Sequence, residues 1–152
     1  MSSSLTRVTM NRIVPVAIAA IYDRTSKKLL LAQRREIAPD DREYGYCWNL
    51  PGGGIQFSED PITALRREVR EELGVEIEVH SLLPKVFSPV RHRWHGILIC
   101  YLCTLKDPSQ RIILNHESSQ YAWFSLEEIK KLHTLPFASD IAKLAFLASN
   151  KL

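Results

Sequence analysis

Apolar and polar segments alternate along most of the chain, and this pattern predicts a series of β-strands. Residues 13–22 are rich in Val, Ile and Ala, and a second apolar run at 28–33 follows the polar stretch 23–27. Two such runs around a short polar segment predict a β-hairpin. By the same pattern we expect strands at 46–50, 75–83, 85–89, 94–105 and 121–124, a polar loop at 34–45, a glycine-rich turn at 51–54 and a polar connection at 106–119.

The clearest helix is predicted between Asp60 and Gly74. An aspartate accepts hydrogen bonds from the first helical amides, Pro61 is tolerated in the first turn, and a glycine favours the end of a helix. Between them, apolar residues recur every three or four positions and form a stripe that would pack on a sheet: Ile62, Leu65, Val69 and Leu73. A shorter helix is predicted after Ser125, which forms a capping-box pattern with Glu128, and a last one at 139–149.

Length and composition predict one soluble domain over residues 1–152, with a flexible start at 1–7. Hydrophobic residues make up 45% and charged residues 24% of the chain, close to the average of soluble proteins. The apolar run 13–22 is too short to span a bilayer, and residues 1–7 lack the charged-then-apolar order of a signal peptide. We therefore expect no membrane association and a cytoplasmic location.

Charge and cysteine content narrow the function further. The net charge is only +3 and the basic residues are spread along the chain, so a dedicated nucleic-acid binder is not expected, whereas an anionic small ligand is compatible. Three cysteines are an odd number and predict no disulfide framework. Cys100 and Cys103 form a C-x-x-C pair within the apolar run 97–105, so we interpret them as core residues and not as a zinc or redox pair.

Three glutamates of the predicted helix share one face. Glu68, Glu71 and Glu72 stand at positions i, i+3 and i+4, next to the apolar stripe. Their repulsion could be offset by Arg67 and Arg70 as surface partners, or by a divalent cation. Oxygen-only ligands favour a hard ion such as Mg²⁺ or Mn²⁺ over zinc. The glycines at 52–54 precede the helix and would let the backbone approach an ion or a phosphate closely.

The whole segment 53–75 resembles the Nudix box, G-x5-E-x7-R-E-U-x-E-E-x-G-U, in which U is aliphatic. The nine fixed positions all match: Gly53, Glu59, Arg67, Glu68, Val69, Glu71, Glu72, Gly74 and Val75. The preceding residues 48–55 look like the usual run into the box. The resemblance implies an α/β Nudix fold, which is an α/β/α sandwich with a mixed β-sheet and the box helix at its edge.

The resemblance also implies roles for individual residues. It places Glu68, Glu71, Glu72 and the backbone carbonyl of Gly52 at the metal, which would be Mg²⁺ or Mn²⁺. Arg67 would orient the glutamates, and the structural box residues would hold the loop and the backbone: Gly53, Glu59 and Gly74. The stretch 117–126 is similar to a region of the MutT-type enzymes, so Glu117 is expected to add a fourth carboxylate. We predict Glu68 as the general base, with Glu117 as its rival.

Substrate contacts are predicted from position and residue type. Arg34 and Arg35 follow a strand in a position that resembles the phosphate-contacting arginines of the MutT group, and arginine donates two hydrogen bonds to phosphate oxygens. In the cluster 91–95, Arg91 and Trp94 are candidates for contacting phosphate or base, and Phe137 is a candidate for stacking.

The implied enzyme is a magnesium-dependent nucleotide pyrophosphohydrolase that uses an activated water. We expect a nucleoside triphosphate as the substrate, which would yield a nucleoside monophosphate and pyrophosphate. An ADP-ribose or other nucleoside diphosphate-sugar hydrolase is the alternative. Members of the ADP-ribose type would have a proline about fifteen residues past the box, and Pro89 lies fourteen residues beyond Val75. A non-catalytic nucleotide- or RNA-binding module is a third hypothesis, but its usual sign is loss of box glutamates. Dimers are common in the family, and a homodimer stays open here.

Overall fold

The computed structural model describes residues 10–35 and 43–152. The described strands are β1 (Arg12–Asp23), β2 (Lys28–Arg34), β3 (Trp48–Asn49), β4 (Gly52–Gly54), β5 (Ile77–Leu82), β6 (Val90–Arg91), β7 (Trp94–Leu105) and β8 (Ser118–Phe124). The described helices are α1 (Pro61–Leu73), α2 (Leu126–Lys131) and α3 (Ala138–Ser149). None of these helices is long and apolar enough to cross a membrane.

The central strand β1 is covered on both faces, which explains its nearly continuous apolar run. Val16, Ile18 and Ala20 belong to one buried cluster, whereas Ala17 and Ala19 belong to another on the opposite face. Side chains alternate between the two faces of a strand, and a strand buried on both sides therefore loses the apolar-polar alternation. The strand predicted at 13–22 is confirmed.

The sheet is mixed. β1 and β7 run parallel over ten residue pairs, from Arg12 opposite Trp94 to Ile21 opposite Cys103. The other pairings are antiparallel: β5 and β6 with β7, β4 with β1, and β3 and β8 with β2, which joins β1 through the predicted hairpin. The order of the main strands is β3-β2-β1-β7-β5.

Helices cover the two faces of this sheet. Three residues of the predicted apolar stripe of α1, Leu65, Val69 and Leu73, pack with the face of β1 that carries Ala17 and Ala19, whereas the fourth, Ile62, is exposed. Ile129 of α2 and Ile141 of α3 pack with the other face, together with Leu98 and Leu102 of β7. The predicted α/β/α sandwich with a mixed sheet is therefore confirmed, and α1 is the next element after the short strand β4, separated from it by residues 55–60.

The sequence pattern was wrong in two places. The segment 51–54 was expected to be a turn, but Gly52–Gly54 pairs with Val16–Ile18 of β1 as strand β4. The strand expected at 85–89 is reduced to a single bridge between Phe87 and Leu98. Pro84 precedes that segment and Pro89 is its last residue, and neither has an amide hydrogen for a ladder, so a continuous strand does not form.

The cysteines of the C-x-x-C pair lie in the core, as predicted. Cys100 belongs to the cluster beneath α3 and Cys103 to the cluster beneath α1. Residues three apart in a strand point to opposite faces, so their sulfurs are separated by the sheet. Burial raises the pKa of each thiol to about 12. The flexible start expected at 1–7 lies wholly outside the described residues, and so does the part 36–42 of the loop expected at 34–45.

Candidate functional site

Helix α1 is fixed at both ends by its own sequence. Asp60 Oδ1 accepts hydrogen bonds from the amides of Ile62 and Thr63, each at 3.0 Å. Gly74 adopts a left-handed conformation with φ of 66°, and its amide donates to the carbonyl of Arg70. A side chain is strained in that conformation and glycine is not, which explains the helix end. These caps fix where α1 begins and ends.

Arg67 joins the loop before α1 to the helix itself. Its Nε and Nη2 donate to the two carboxylate oxygens of Glu59 at 2.7 and 2.8 Å, and Nη2 also donates to the carbonyl of Gly54 at 3.1 Å. Its Nη1 donates to Glu68 Oε1 at 2.9 Å. The hydrogen bonds from Arg67 and from the Gln56 amide lower the pKa of Glu59 to about 2. Arg67 therefore holds the loop and one glutamate together.

Glu68 and Glu72 lie against the glycines of β4. A Cβ on Gly53 would collide with the Glu68 carboxylate, so glycine is required for this close approach. Burial raises the pKa of Glu68, although the Arg67 contact opposes that effect. Burial raises the pKa of Glu72 still further, and the charges of Glu68 and Glu117 add to it, whereas a hydrogen bond from the Gly52 amide acts in the opposite direction.

Glu71 differs from its two neighbours because its side chain is 55% exposed. It contacts Arg67 Nη1 at 3.4 Å. Within residues 10–35 and 43–152, no three acidic, histidine or cysteine side chains converge closely enough to enclose one ion. Because Glu71 is exposed, its side chain can rotate toward a bound ion at little cost.

The donor set nevertheless fits a hard divalent cation. Two partly buried carboxylates repel each other in water-poor surroundings, and a cation between them would remove that repulsion. All the candidate ligands are oxygens, which suits Mg²⁺ or Mn²⁺.

A polar cleft of about 440 Å³ opens beside Glu72. It brings together Arg34, Arg35, Gly52 and Glu117, which the sequence predicted as site residues. It also contains His116 and Asn49, which the sequence reasoning missed. Asn49 lies within the run into the box at 48–55, and His116 directly precedes Glu117, so position in or beside a motif is the signal that could have found them.

Pairing of β2 with β8 brings Arg34 and Glu117 to the same place, although they are far apart in sequence. The ladder register shifts between Gln33 and Arg34, where Gln33 faces Gln120 and Arg34 faces Ser118. Such an irregularity redirects the side chains that follow it. The amide of Arg35 then donates to the carbonyl of Glu117 at 3.0 Å, which closes this corner of the cleft.

An apolar cleft of about 220 Å³ adjoins the polar one and shares Arg34, Asn49 and Gly52 with it. Its lining includes two predicted contacts, Arg91 and Trp94. The guanidinium of Arg91 lies 4.6 Å from the centre of the Trp94 ring, a cation–π contact. The remaining walls are apolar: Val14, Val16, Ile18, Leu98, Leu135 and Ile141.

Phe137 does not line either of these two clefts. Its ring packs against Phe87 at a centroid distance of 5.3 Å, and 39% of the residue is exposed. The stacking role expected for Phe137 stays a prediction.

Known proteins resemble this chain over most of its length. A family model described as the NUDIX domain matches residues 12–145. The nucleoside triphosphatase NudI of Escherichia coli is 32% identical over 102 residues, which cover 62% of this chain and 72% of that protein. An RNA pyrophosphohydrolase of Acidiphilium cryptum is 39% identical over 71 residues, 46% of this chain. The match spans only 41% of the Acidiphilium protein.

A solved structure resembles the whole fold. The crystal structure of a MutT protein from Methanosarcina mazei superimposes with a TM-score of 0.75 and 25% sequence identity, and the match covers 93% of this chain and 98% of that one. The arrangement of sheet and helices described above is therefore shared with a protein of similar size.

Proposed function

Because the chain belongs to the NUDIX family, we propose that it is a divalent-metal-dependent hydrolase of nucleoside diphosphate derivatives, with a nucleoside triphosphate as its foremost substrate. The family resemblance predicted from residues 53–75 is thereby confirmed. The products would be a nucleoside monophosphate and pyrophosphate.

One observation carries this proposal. Glu68 and Glu72 are held, partly buried, against the glycine strand β4, and Glu72 faces a cleft that also contains Arg34. Folding would not gather desolvated carboxylates for stability alone, since their burial and mutual repulsion oppose folding. A site that binds a cation and a phosphate together explains why they are there.

The metal would be held by the box carboxylates. Glu68, Glu71 and Glu72, the Gly52 carbonyl and Glu117 are the proposed ligands, and Mg²⁺ or Mn²⁺ is the proposed ion. When bound, such an ion neutralises the negative oxygens of a diphosphate and so favours attack on phosphorus. Arg67 would act as a positioning residue, because its hydrogen bonds fix Glu68 relative to Gly54.

The chain's own residues would move the proton and hold the substrate. A water oxygen attacks one phosphorus of the anhydride, and Glu68 accepts the proton that the water loses. The phosphorus–oxygen bond opposite the water breaks, and its electron pair leaves with the departing pyrophosphate. The raised pKa of Glu68 suits a proton acceptor, because a base works best when its pKa lies near the working pH.

The two clefts suggest how a nucleotide would lie. The apolar cleft with Trp94, Leu98 and Ile141 suits a nucleoside, and the polar cleft, which meets the apolar one at Arg34, suits phosphates. Gly52 and Arg34 line both clefts, so the bond to be broken would lie between them.

A substrate panel with product identification tests the proposal. The panel contains nucleoside triphosphates, ADP-ribose, other nucleoside diphosphate sugars and a 5′-triphosphorylated RNA, each with Mg²⁺ and again with Mn²⁺. Release of pyrophosphate from a triphosphate is the expected result. Binding of nucleotides without turnover of any would instead favour a non-catalytic module.

A nucleoside diphosphate-sugar hydrolase is the second candidate. The observation in its favour is that Pro89, whose position is close to the spacing of about fifteen residues expected for ADP-ribose-type members, is buried and lines the apolar cleft. Turnover of ADP-ribose with AMP and ribose 5-phosphate as products, at a higher kcat/KM than for any triphosphate, would place this candidate first.

A further inference from the structure

The polar cleft contains nitrogen donors that the proposed reaction does not require. Arg34 and the carboxylates suffice to hold the bond that breaks, but Arg35 and His116 line the same cleft. Both of these side chains are exposed, and among the described residues neither has a hydrogen-bond or ion-pair partner. Their side-chain donors are therefore available to a ligand.

The backbone around His116 is firmly held, so its position is not that of a loose loop. Upstream, the amides of Ile113 and Asn115 donate to the carbonyls of Leu73 and Glu72 at the end of α1, at 2.9 and 3.2 Å. Downstream, the Glu117 amide donates to Asn115 Oδ1 at 3.0 Å, and the Glu117 carbonyl accepts from Arg35 at 3.0 Å. These bonds fix His116 between the end of α1 and the end of β2.

The position of His116 corresponds to the distal end of a bound nucleotide. The apolar cleft and the polar cleft meet at Arg34, Asn49 and Gly52. Arg35 and His116 line the polar cleft but not the apolar one. If the nucleoside occupies the apolar cleft, the group farthest from the base reaches Arg35 and His116.

The chemistry of these two residues favours one kind of distal group. A free terminal phosphate offers three strong acceptor oxygens and about two negative charges, which match an arginine fork and an imidazole N–H. A sugar offers mainly hydroxyl groups and would give the arginine no counter-charge. Relying on the proposed function, we propose that His116 and Arg35 bind the terminal phosphate of a nucleoside triphosphate and so select it over substrates whose distal phosphate is esterified.

Steady-state kinetics on a matched pair of substrates test this inference. ATP and ADP-ribose share a base and a diphosphate but differ in the distal group. His116→Ala and Arg35→Ala should each raise KM for ATP by about tenfold, the usual loss for a hydrogen bond to a charged group, while kcat changes little. KM for ADP-ribose should stay within twofold. His80→Ala and Arg24→Ala, which alter residues outside both clefts, are the matched controls.

A binding measurement separates this inference from the proposed function. Calorimetric titration with inorganic pyrophosphate in the presence of Mg²⁺ should show about tenfold weaker binding for His116→Ala than for the wild type. If ATP is hydrolysed but the two variants affect ATP and ADP-ribose equally, or affect neither, the inference is overturned and the hydrolase proposal stands. If the wild type hydrolyses no nucleotide, the hydrolase proposal fails, and unchanged pyrophosphate affinity in His116→Ala would remove this inference as well.

Discussion

At the scale of single residues, Glu72 illustrates how a site can oppose the stability of its own fold. Its carboxyl group is buried beside Glu68 and Glu117, and both effects raise its pKa. An acid whose pKa is raised by folding stabilises the protein when protonated, and that contribution is lost as the pH rises through the folded pKa. In the metal-free protein, the Glu72 charge therefore destabilises the fold at high pH.

The substitution Glu72→Gln tests the role of Glu72 in catalysis and its effect on stability separately. A glutamine keeps the shape of the side chain and still accepts from the Gly52 amide, but it cannot ionise. With Mg²⁺ present, kcat should fall by at least ~10²-fold, because one charge of the proposed metal site is removed. Without metal, the melting temperature of the variant relative to the wild type should increase as the pH is raised from 5 to 9. Near-normal turnover would contradict the role proposed for Glu72.

Glu59 shows the opposite dependence on pH. Its pKa is lowered from an ordinary value of 4.5 to about 2 by hydrogen bonds from Arg67 and the Gln56 amide. A lowered carboxylate pKa contributes stability that is present above the unfolded pKa and is lost as the pH falls through the folded pKa. The melting-temperature difference between the wild type and Glu59→Gln should thus be largest above pH 4.5 and shrink toward pH 2.

Glu76→Gln is the matched control for that measurement. Glu76 also pairs with an arginine, Arg70, at 2.7 Å, but both side chains are at least half exposed. Exposed ion pairs contribute little because water and salt screen them. If the melting-temperature difference from the wild type is as large for Glu76→Gln as for Glu59→Gln, burial of the Arg67 network is unimportant for stability.

At the scale of elements, the glycine strand β4 combines two separate requirements. A Cβ on Gly52 would collide with the backbone of Ala17, whereas a Cβ on Gly53 would meet the Glu68 carboxylate. Beside Gly54 a Cβ would make only an ordinary contact with Val14. Gly52 is therefore needed for pairing with β1, and Gly53 is needed for the approach of Glu68. Gly54 is needed for neither.

Alanine substitutions at the three glycines should have different effects. Overpacking against backbone typically costs about 1–3 kcal/mol, and each kcal/mol shifts the melting temperature of a domain of this size by about 2–4 °C, so the melting temperature of Gly52→Ala should be about 2–12 °C lower. Gly53→Ala should keep most of its stability but lose roughly 10²-fold in kcat, because Glu68 is displaced. Gly54→Ala should resemble the wild type in both melting and kinetics. Equal losses of activity in Gly53→Ala and Gly54→Ala would contradict the assignment.

The contrast between α1 and β4 shows what local sequence can predict. The bounds of α1 follow from Asp60, Pro61 and Gly74, whose effects act within the helix itself, and the sequence predicted them correctly. β4 consists of three glycines, which have low strand propensity, and it forms because β1 supplies hydrogen-bond partners from another part of the chain. Tertiary pairing of that kind leaves no mark in the local pattern.

At the scale of the whole molecule, the same distinction divides the candidate site. The box residues lie in one contiguous segment, so their spacing in the sequence was enough to predict them. The polar cleft depends on the pairing of β2 with β8 and on the segment 113–117 being tied to the end of α1. Resemblance predicted Arg34 and Glu117, whereas His116 and Asn49 were not predicted, because long-range contacts bring them into the cleft.

Metal binding at the proposed site would also stabilise the whole fold. An ion that binds only the folded state stabilises it by RT ln(1 + [L]/Kd), which is about 2.7 kcal/mol at a concentration 100 times Kd. For a domain of this size, that corresponds to a rise of roughly 5–10 °C in melting temperature. Mg²⁺ or Mn²⁺ should produce such a rise in the wild type, and the rise should be larger at pH 8 than at pH 6, since the metal must displace any proton on Glu72.

The same titration on variants shows whether the rise comes from the proposed site. Glu72→Gln should lose most of the metal-dependent rise in melting temperature. Glu76→Gln should keep that rise, because Glu76 pairs with Arg70 away from the clefts. In parallel, a chelator should abolish hydrolysis, and Mg²⁺ or Mn²⁺ should restore it. Restoration by zinc alone would show that the ligand set is not the hard oxygen site inferred here, because carboxylates and carbonyls without nitrogen or sulfur ligands favour the harder ions.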